Sequence, residues 1–561
     1  MTVNNKPIES SSDHLREELA LIELRIRRQI AVMKAANPNG NTFDEFSGMY
    51  ISEDEIRNYL DRETTPGNMK PISDHKTVKA LGEEINRYRK EIDRRVEAAL
   101  KKGIRLRLVE LKERFLLTET ELNILVCCLA PDIDIRFDRY FAYLQNDVSK
   151  RRPTVQLLSG MFLGAVGERD TVLESRSVFN RETGILSKNL FNLDISGNKD
   201  EAPFPARQFT AADSVLDFLL GTGHLDAEVA RIGRLSEGQP MEMYAGYFNH
   251  HVRVLDSLAR HYQAHGTLPA VYIGGPGGAG KSKLVRTFAA ALDKKVLKVD
   301  YHGLMSFQGD FRQLLALVER EARLHDALLQ IHLRHSDEWT LNINGNMNGD
   351  RSKTAVLNNF LQENRLAGVL LTGTEEYTRV KERISGITMS FYIPMPTVEE
   401  RFELWSRLLA SNSPEDEQEW ITGLAVKFRF TPGRIRSVLD AASLMASVDE
   451  ENKPVVELAD IYKCCREESD QGLLSYSQKI VPHYKWQDIV LPDDTMAQLR
   501  EICDSIRNRR KVFWEWGFEQ KFSLGKGLNI LLAGPPGIGK TMSAEIIAGE
   551  LGLDLYKIDL S

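Results

Sequence analysis

The chain has 561 residues, 42% of them hydrophobic and 27% charged, a length and composition that predict roughly three to four soluble globular domains. Its net charge of −7 argues against a protein whose main business is coating nucleic acid. No apolar run approaches the ~20 residues of a membrane span, and the start Met1-Thr2-Val3-Asn4-Asn5 is polar, without an apolar signal core. Residues 1–12 read as a disordered tail. Leu15, Leu19, Ile22, Ile26, Ile30 and Met33 then recur at spacings of three and four, one apolar helix face, and Asn37-Pro38-Asn39-Gly40-Asn41 breaks it. Ser52-Glu53-Asp54-Glu55 and Thr118-Glu119-Thr120-Glu121 are capping boxes, and Leu117 with Leu122 fits a hydrophobic staple around the second. Up to about residue 235 the pattern stays mostly helical, with no catalytic constellation. The basic pairs Lys101-Lys102 and Arg151-Arg152 read as solvated helix faces.

From 236 to 396 strands and helices alternate, which implies a parallel α/β sheet. Ala270–Ile273, Lys294–Asp300, Ala327–Leu333, Gly368–Thr372 and Met389–Ile393 read as its strands. Residues 397–465 read as helical and 466–485 as a linker. The α/β pattern then restarts with Trp486-Gln487-Asp488-Ile489, an amphipathic helix over 494–516, a strand over Leu528–Leu532 and another over Leu555–Asp559. Cys127, Cys128, Cys464, Cys465 and Cys503 contain no C-x-x-C spacing, so free thiols in a reducing cytoplasm are expected. His332, His335 and Asp337 are read as solvated loop residues rather than a metal site.

Two segments carry most of the chemistry. Gly275-Pro276-Gly277-Gly278-Ala279-Gly280-Lys281-Ser282 and Gly534-Pro535-Pro536-Gly537-Ile538-Gly539-Lys540-Thr541 both fit G-x-x-x-x-G-K-[ST]. In this pattern glycines let backbone N–H groups face an anion, the lysine reaches the terminal phosphates, and the hydroxyl, here Ser282 or Thr541, ligates Mg²⁺. Each follows an apolar strand and opens a helix, so bound phosphates would sit at a helix N-terminus, where partial positive charge favours them. Lys540 and Lys281 are 259 positions apart (540 − 281), the length of one α/β-plus-helical module. ATP with Mg²⁺ is the expected cofactor.

Residues 236–561 resemble the AAA+ ATPases, most specifically from Trp486 to Ser561, where Trp-Gln-Asp-Ile, a basic helix and Gly527-Leu528-Asn529-Ile530-Leu531-Leu532-Ala533 lead into the second loop. A helical N-region followed by two modules is similar to bacterial AAA ATPases encoded beside contractile injection systems. The resemblance implies an α/β fold: a helical N-terminal region (1–235), an AAA+ nucleotide-binding subdomain (236–396) with a helical lid (397–465), and a second module (486–561) expected to be truncated. It implies a ring homo-oligomer, a hexamer when complete, acting on a protein substrate or an injection-system component. Phe307-Gln308-Gly309 resembles a substrate-gripping pore loop. The third strand should end in Asp-Glu but runs into His332-Leu333, leaving Asp337-Glu338 as a shifted candidate pair. Thr372 or Thr374 matches the γ-phosphate sensor, Arg379 or Arg383 the neighbour-facing arginine finger, and Arg434 in Thr431-Pro432-Gly433-Arg434-Ile435 the lid arginine that contacts nucleotide. The expected activity is ATP binding with weak hydrolysis in the first module. The alternatives are a non-hydrolysing nucleotide-dependent scaffold and, disfavoured by charge, a nucleic-acid motor or clamp loader, for which the helical N-region would hide a winged helix.

Overall fold

The computed structural model describes residues 7–36, 76–163, 176–180, 184–193, 203–240, 245–333, 347–363, 366–382, 384–409, 417–448, 454–470, 478–508 and 528–558. The chain divides into two units, Met1–Met395 and Pro396–Ser561. The first apolar stripe of the sequence forms the helix Ser11–Ala36. It has two working faces. Leu21 and Leu24 pack with Ile85 and Ile92 of the helix Lys76–Lys101, while Leu19, Ile22 and Ile26 enter the main N-terminal core. At the centre of that core lies Glu119–Ile133, whose residues from Glu121 to Pro131 are all buried, as expected of a helix apolar all round. Its capping box is complete: the Thr118 hydroxyl accepts from the Glu121 N–H, and the Glu121 carboxylate accepts from the Thr118 N–H at 2.8 Å. The capping box at Ser52–Glu55 lies outside the described residues. Cys127 and Cys128 are fully buried free thiols, and burial pushes both thiols up, away from reactivity.

The N-region is not wholly helical. Two short strands, β1 (Phe191–Leu193) and β2 (Phe209–Ala211), pair antiparallel. Phe209 packs on Phe179 and Phe191, so three aromatic rings secure a ladder of only three residue pairs.

A six-stranded sheet follows, made of β3 (Gly233–Ser236), β4 (Val271–Gly274), β5 (Lys295–Asp300), β6 (Ala327–His332), β7 (Val369–Gly373) and β8 (Met389–Tyr392), in the order β3-β5-β6-β7-β4-β8. All pairs are parallel except β3 with β5. Every residue of β4 and β7 is buried, which is what helices on both faces of a parallel sheet require. The edge strand β3 lies at a position read from sequence as the end of the helical region. It is short and largely polar, and pairing with β5 alone makes it a strand.

The N-terminal bundle meets the sheet layer at the helix Phe311–Leu324. Arg320 and Glu321 of that helix are almost completely buried. The Arg320 guanidinium binds Asp226 at 2.7 Å, Glu321 at 3.0 Å and the Asn189 carbonyl at 3.1 Å. Arg323 lies over the Phe115 ring at 4.5 Å and donates to the Arg114 carbonyl. Glu321 Oε1 takes Arg320, while its Oε2 has no hydrogen-bond partner among the described residues and lies 3.7 Å from His325 Nε2, so the cluster is paired mainly through Arg320.

In the second unit the helices Val398–Leu409, Glu417–Lys427, Pro432–Met445 and Leu458–Asp470 are followed by Asp493–Arg507 and Lys540–Leu551. Two sequence expectations fail here. The stretch Leu528–Leu532 forms no strand, because an apolar run becomes a strand only against a partner and none of the described residues pairs with it. Conversely, Gln478–Ile480, inside the expected linker, forms a strand that pairs antiparallel with Leu555–Lys557.

Replacing Arg320 by Met should strand Glu321 and Asp226 without their cation, at a cost of about 3 kcal/mol. Amide exchange along Phe311–Leu324, read by mass spectrometry, should accelerate about a hundredfold. Unchanged protection would show that the ion cluster is dispensable.

Candidate phosphate-binding site

β4 delivers the chain into the first glycine-rich loop at Gly275, where φ is 149°. A Cβ there would lie 2.7 Å from the Ile393 carbonyl oxygen, so only glycine lets the loop leave the sheet at this angle. Gly278 (φ 75°) and Gly280 (φ 90°) then turn the backbone into the helix Lys281–Ala291, which begins with no side-chain cap. Its first N–H groups are therefore left for a ligand. Lys281 folds back over the loop, its ammonium donating to the carbonyls of Gly275 at 2.6 Å and Pro276 at 2.7 Å. Burial lowers its pKa to about 8.

Beneath Ser282 lies a polar floor that the sequence did not announce. Gln330, 1% exposed in the middle of β6, donates from one amide nitrogen to Ser282 Oγ at 2.9 Å and to Thr372 Oγ1 at 3.0 Å. His332 Nδ1 lies 3.1 Å from the same Thr372 oxygen. Lys298 of β5 donates to Ser282 Oγ at 3.4 Å. Strand register explains the grouping, since Lys298 sits opposite Gln330 and His332 opposite Thr372 on adjacent parallel strands. Residues two apart on a strand share a face, so Gln330 and His332 both face the loop's side of the sheet. The clue in the sequence was a polar residue inside an apolar run, but spacing alone could not say which face it took.

Thr372 is thus fully buried and engaged. Thr374 lies just past the end of β7. Arg379 is exposed on the short helix Tyr377–Lys381. Asp337, Glu338 and Arg383 lie outside the described residues. Phe307 packs in part against the sheet core, its ring lying over Gly309. Among the described residues no group of three or more His, Cys, Asp or Glu side chains could hold a metal. The contacts on Ser282 Oγ come from an amide and an ammonium, neither of which suits Mg²⁺, a cation that takes oxygen ligands and carboxylates. The described floor does not fit the metal that the sequence pattern implies.

The second loop repeats the backbone of the first. Gly534, Gly537 and Gly539 have φ of 150°, 87° and 91°, matching Gly275, Gly278 and Gly280. Lys540 likewise donates to the carbonyls of Gly534 at 2.7 Å and Pro535 at 2.6 Å. Ile489 of the Trp-Gln-Asp-Ile run packs over Gly539, 3.6 Å from where a Cβ would stand. The surroundings differ: Ala279 is buried, whereas its counterpart Ile538 is 50% exposed and Thr541 is exposed. Also in the second unit, Arg434 forms an ion pair with Glu468 at 3.4 Å.

Three family models match separate segments: winged helix domain, variant, over residues 2–232; contractile injection system ATPase helical domain over 397–471; and ATPase family associated with various cellular activities (AAA) over 530–561. Similar curated proteins include an ATP-dependent zinc metalloprotease FtsH from Caldicellulosiruptor bescii, 38% identical over 13% of this chain and 10% of its own length. An uncharacterized AAA family ATPase y4kL from Sinorhizobium fredii is 32% identical over 16% of this chain and 25% of its own. Nuclear valosin-containing protein-like from Mus musculus is 28% identical over 26% and 15%. The chain therefore spans no more than a quarter of the length of these relatives. Among solved structures, the FIGL-1 AAA domain aligns at TM-score 0.31 and 16% identity, over 44% of this chain and 90% of its own. The resemblance to AAA+ ATPases and to the ATPases of contractile injection systems holds on these matched segments.

The depressed pKa of Lys281 predicts how nucleotide affinity varies with pH. A polyphosphate favours the charged ammonium, so binding draws a proton onto Lys281 wherever the free site has lost it. Below about pH 8 the lysine is already charged and affinity should be flat. Above it, affinity should fall by up to about tenfold per pH unit. Calorimetry in buffers of different ionisation enthalpy should detect the proton uptake, and affinity constant to pH 9.5 would contradict a lysine poised near 8.

Proposed function

We propose that this AAA+ chain is an ATP-binding protein-remodelling ATPase, built around tandem modules and assembling as a ring, whose first module binds ATP and hydrolyses it poorly. The observation that carries the reading is the pairing of a well-formed phosphate loop with a floor of Gln330 and His332. Phosphoryl transfer to water relies on positioning and on charge at the attacking water, and a neutral amide and an imidazole do that poorly. In this reading the module that Lys540 and Thr541 open supplies the power stroke, and the first module stabilises the ring. Arg383 reaches a neighbouring subunit and Arg434 answers the nucleotide from the lid. A protein component of a contractile injection system is the expected partner, which the helical-domain match over 397–471 supports.

A nucleotide-dependent scaffold is the second reading, favoured by the amide and imidazole that form the floor among the described residues. A nucleic-acid motor ranks behind both. The winged-helix match over 2–232 revives it, but the net charge of −7 weighs against it.

ATP should raise the melting temperature of the chain by mass action, and Lys281→Ala should remove the part of the shift that belongs to the first site. Steady-state turnover by the 561-residue chain should stay far below about 1 s⁻¹, the low end of enzymatic rates. A rate near that value, abolished by Glu338→Gln, would restore Asp337 and Glu338 as a working acidic pair and overturn the assignment of the first module as a weak hydrolase.

A further inference from the structure

We infer that the first site takes its polyphosphate without Mg²⁺, with the Lys298 ammonium supplying the positive charge that a metal would otherwise bring. The inference rests on the reading of residues 275–282 as a nucleotide site and goes on to what that site requires.

The argument begins with one oxygen. A serine hydroxyl has two acceptor lone pairs and one proton to donate. Ser282 Oγ receives Gln330 at 2.9 Å and Lys298 at 3.4 Å, which uses both lone pairs. What remains is its O–H, which serves an anion and not a cation. In this chain Ser282 is a phosphate donor rather than a metal ligand. Turned end for end, the Gln330 amide would accept the Ser282 O–H instead, and the Lys298 ammonium would still occupy one lone pair of Ser282 Oγ.

Electrostatics points the same way. A divalent ion beside Ser282 would stand next to the Lys298 ammonium, which reaches Ser282 Oγ at 3.4 Å from the strand position opposite Gln330. Mg²⁺ gives up its water reluctantly and is usually held by one or two carboxylates together with phosphates. The next residue of β5 on the same face is Asp300, and its carboxylate accepts from the Gly303 N–H at 3.2 Å, capping the helix Tyr301–Met305. Lys281 instead donates to the carbonyls of Gly275 and Pro276, and Lys298 to Ser282 Oγ, so two ammonium groups lie against the loop, next to the uncapped helix N-terminus. Those three sources of positive potential are what a polyphosphate needs for binding. They supply nothing that activates a water, in keeping with weak hydrolysis.

The test uses the full chain with Lys540→Ala, so that only the first site reports, and ATP titrated in excess MgCl₂ or in excess EDTA. The expected dissociation constants agree within about threefold, less than 1 kcal/mol. Lys298→Met should weaken binding by about tenfold or more in both media, while Lys298→Arg, which keeps the charge, should bind as the parent does. Lys298→Met combined with Gln330→Asp should bind better in MgCl₂ than in EDTA. Binding in the Lys540→Ala parent that appears only with MgCl₂ would overturn the inference and leave the nucleotide site standing. Full affinity in Lys298→Met would remove Lys298 from the role. No ATP binding in either medium would overturn both the inference and the nucleotide-site reading on which it depends.

Discussion

One buried amide organises the first module's chemistry. Gln330 sits at the centre of a parallel sheet, in a strand whose Ala327, Leu329 and Ile331 fill the apolar core. A polar group so placed costs roughly 1–3 kcal/mol if left without partners. It therefore fixes its neighbours, drawing Ser282 of the phosphate loop and Thr372 of the adjacent strand onto a single nitrogen. Loop, neighbouring strand and sheet are thereby tied together from below, and the Ser282 hydroxyl becomes a hydrogen-bond acceptor for the protein. A carboxylate at this position would have drawn in a cation, whereas the amide holds the same geometry and brings no charge.

Much of this was legible in the sequence, for identifiable reasons. The phosphate loops are spelled out because glycine is the only residue that tolerates their φ values, and the repeated angles at 275/534, 278/537 and 280/539 are local consequences of local sequence. The parallel strands were legible as apolar runs, since a sheet covered on both faces leaves no polar alternation. The reading failed wherever pairing decides. Gly233–Ser236 and Gln478–Ile480 carry no strand-like pattern and become strands by lying beside β5 and Leu555–Lys557. Leu528–Leu532 has the pattern and no partner among the described residues.

The polar floor was illegible for a related reason. Lys298, Gln330, His332 and Thr372 come from three separate strands, and only their register places them on one face of the sheet. His332 stood out in the sequence because it sat where an acid was expected. Gln330 and Lys298 were passed over because each looked like an interruption in a hydrophobic run. An interruption of that kind is informative when burial leaves the polar atoms only one another to bond.

The helix gripped by the N-terminal bundle has a mechanical meaning. Phe311–Leu324 is clamped at Arg320 by a desolvated ion cluster, then passes through only His325 and Asp326, the latter held at φ 49°, before entering β6. A connection of two residues with one locked in the left-handed region has little slack. The ion cluster at Arg320 and the strand bearing Gln330 are thus joined by a short, stiff connection, and β6 is itself paired on both sides, to β5 and β7. A shift of the helix Phe311–Leu324 therefore has little chain in which to dissipate before it reaches the strand whose Gln330 touches Ser282.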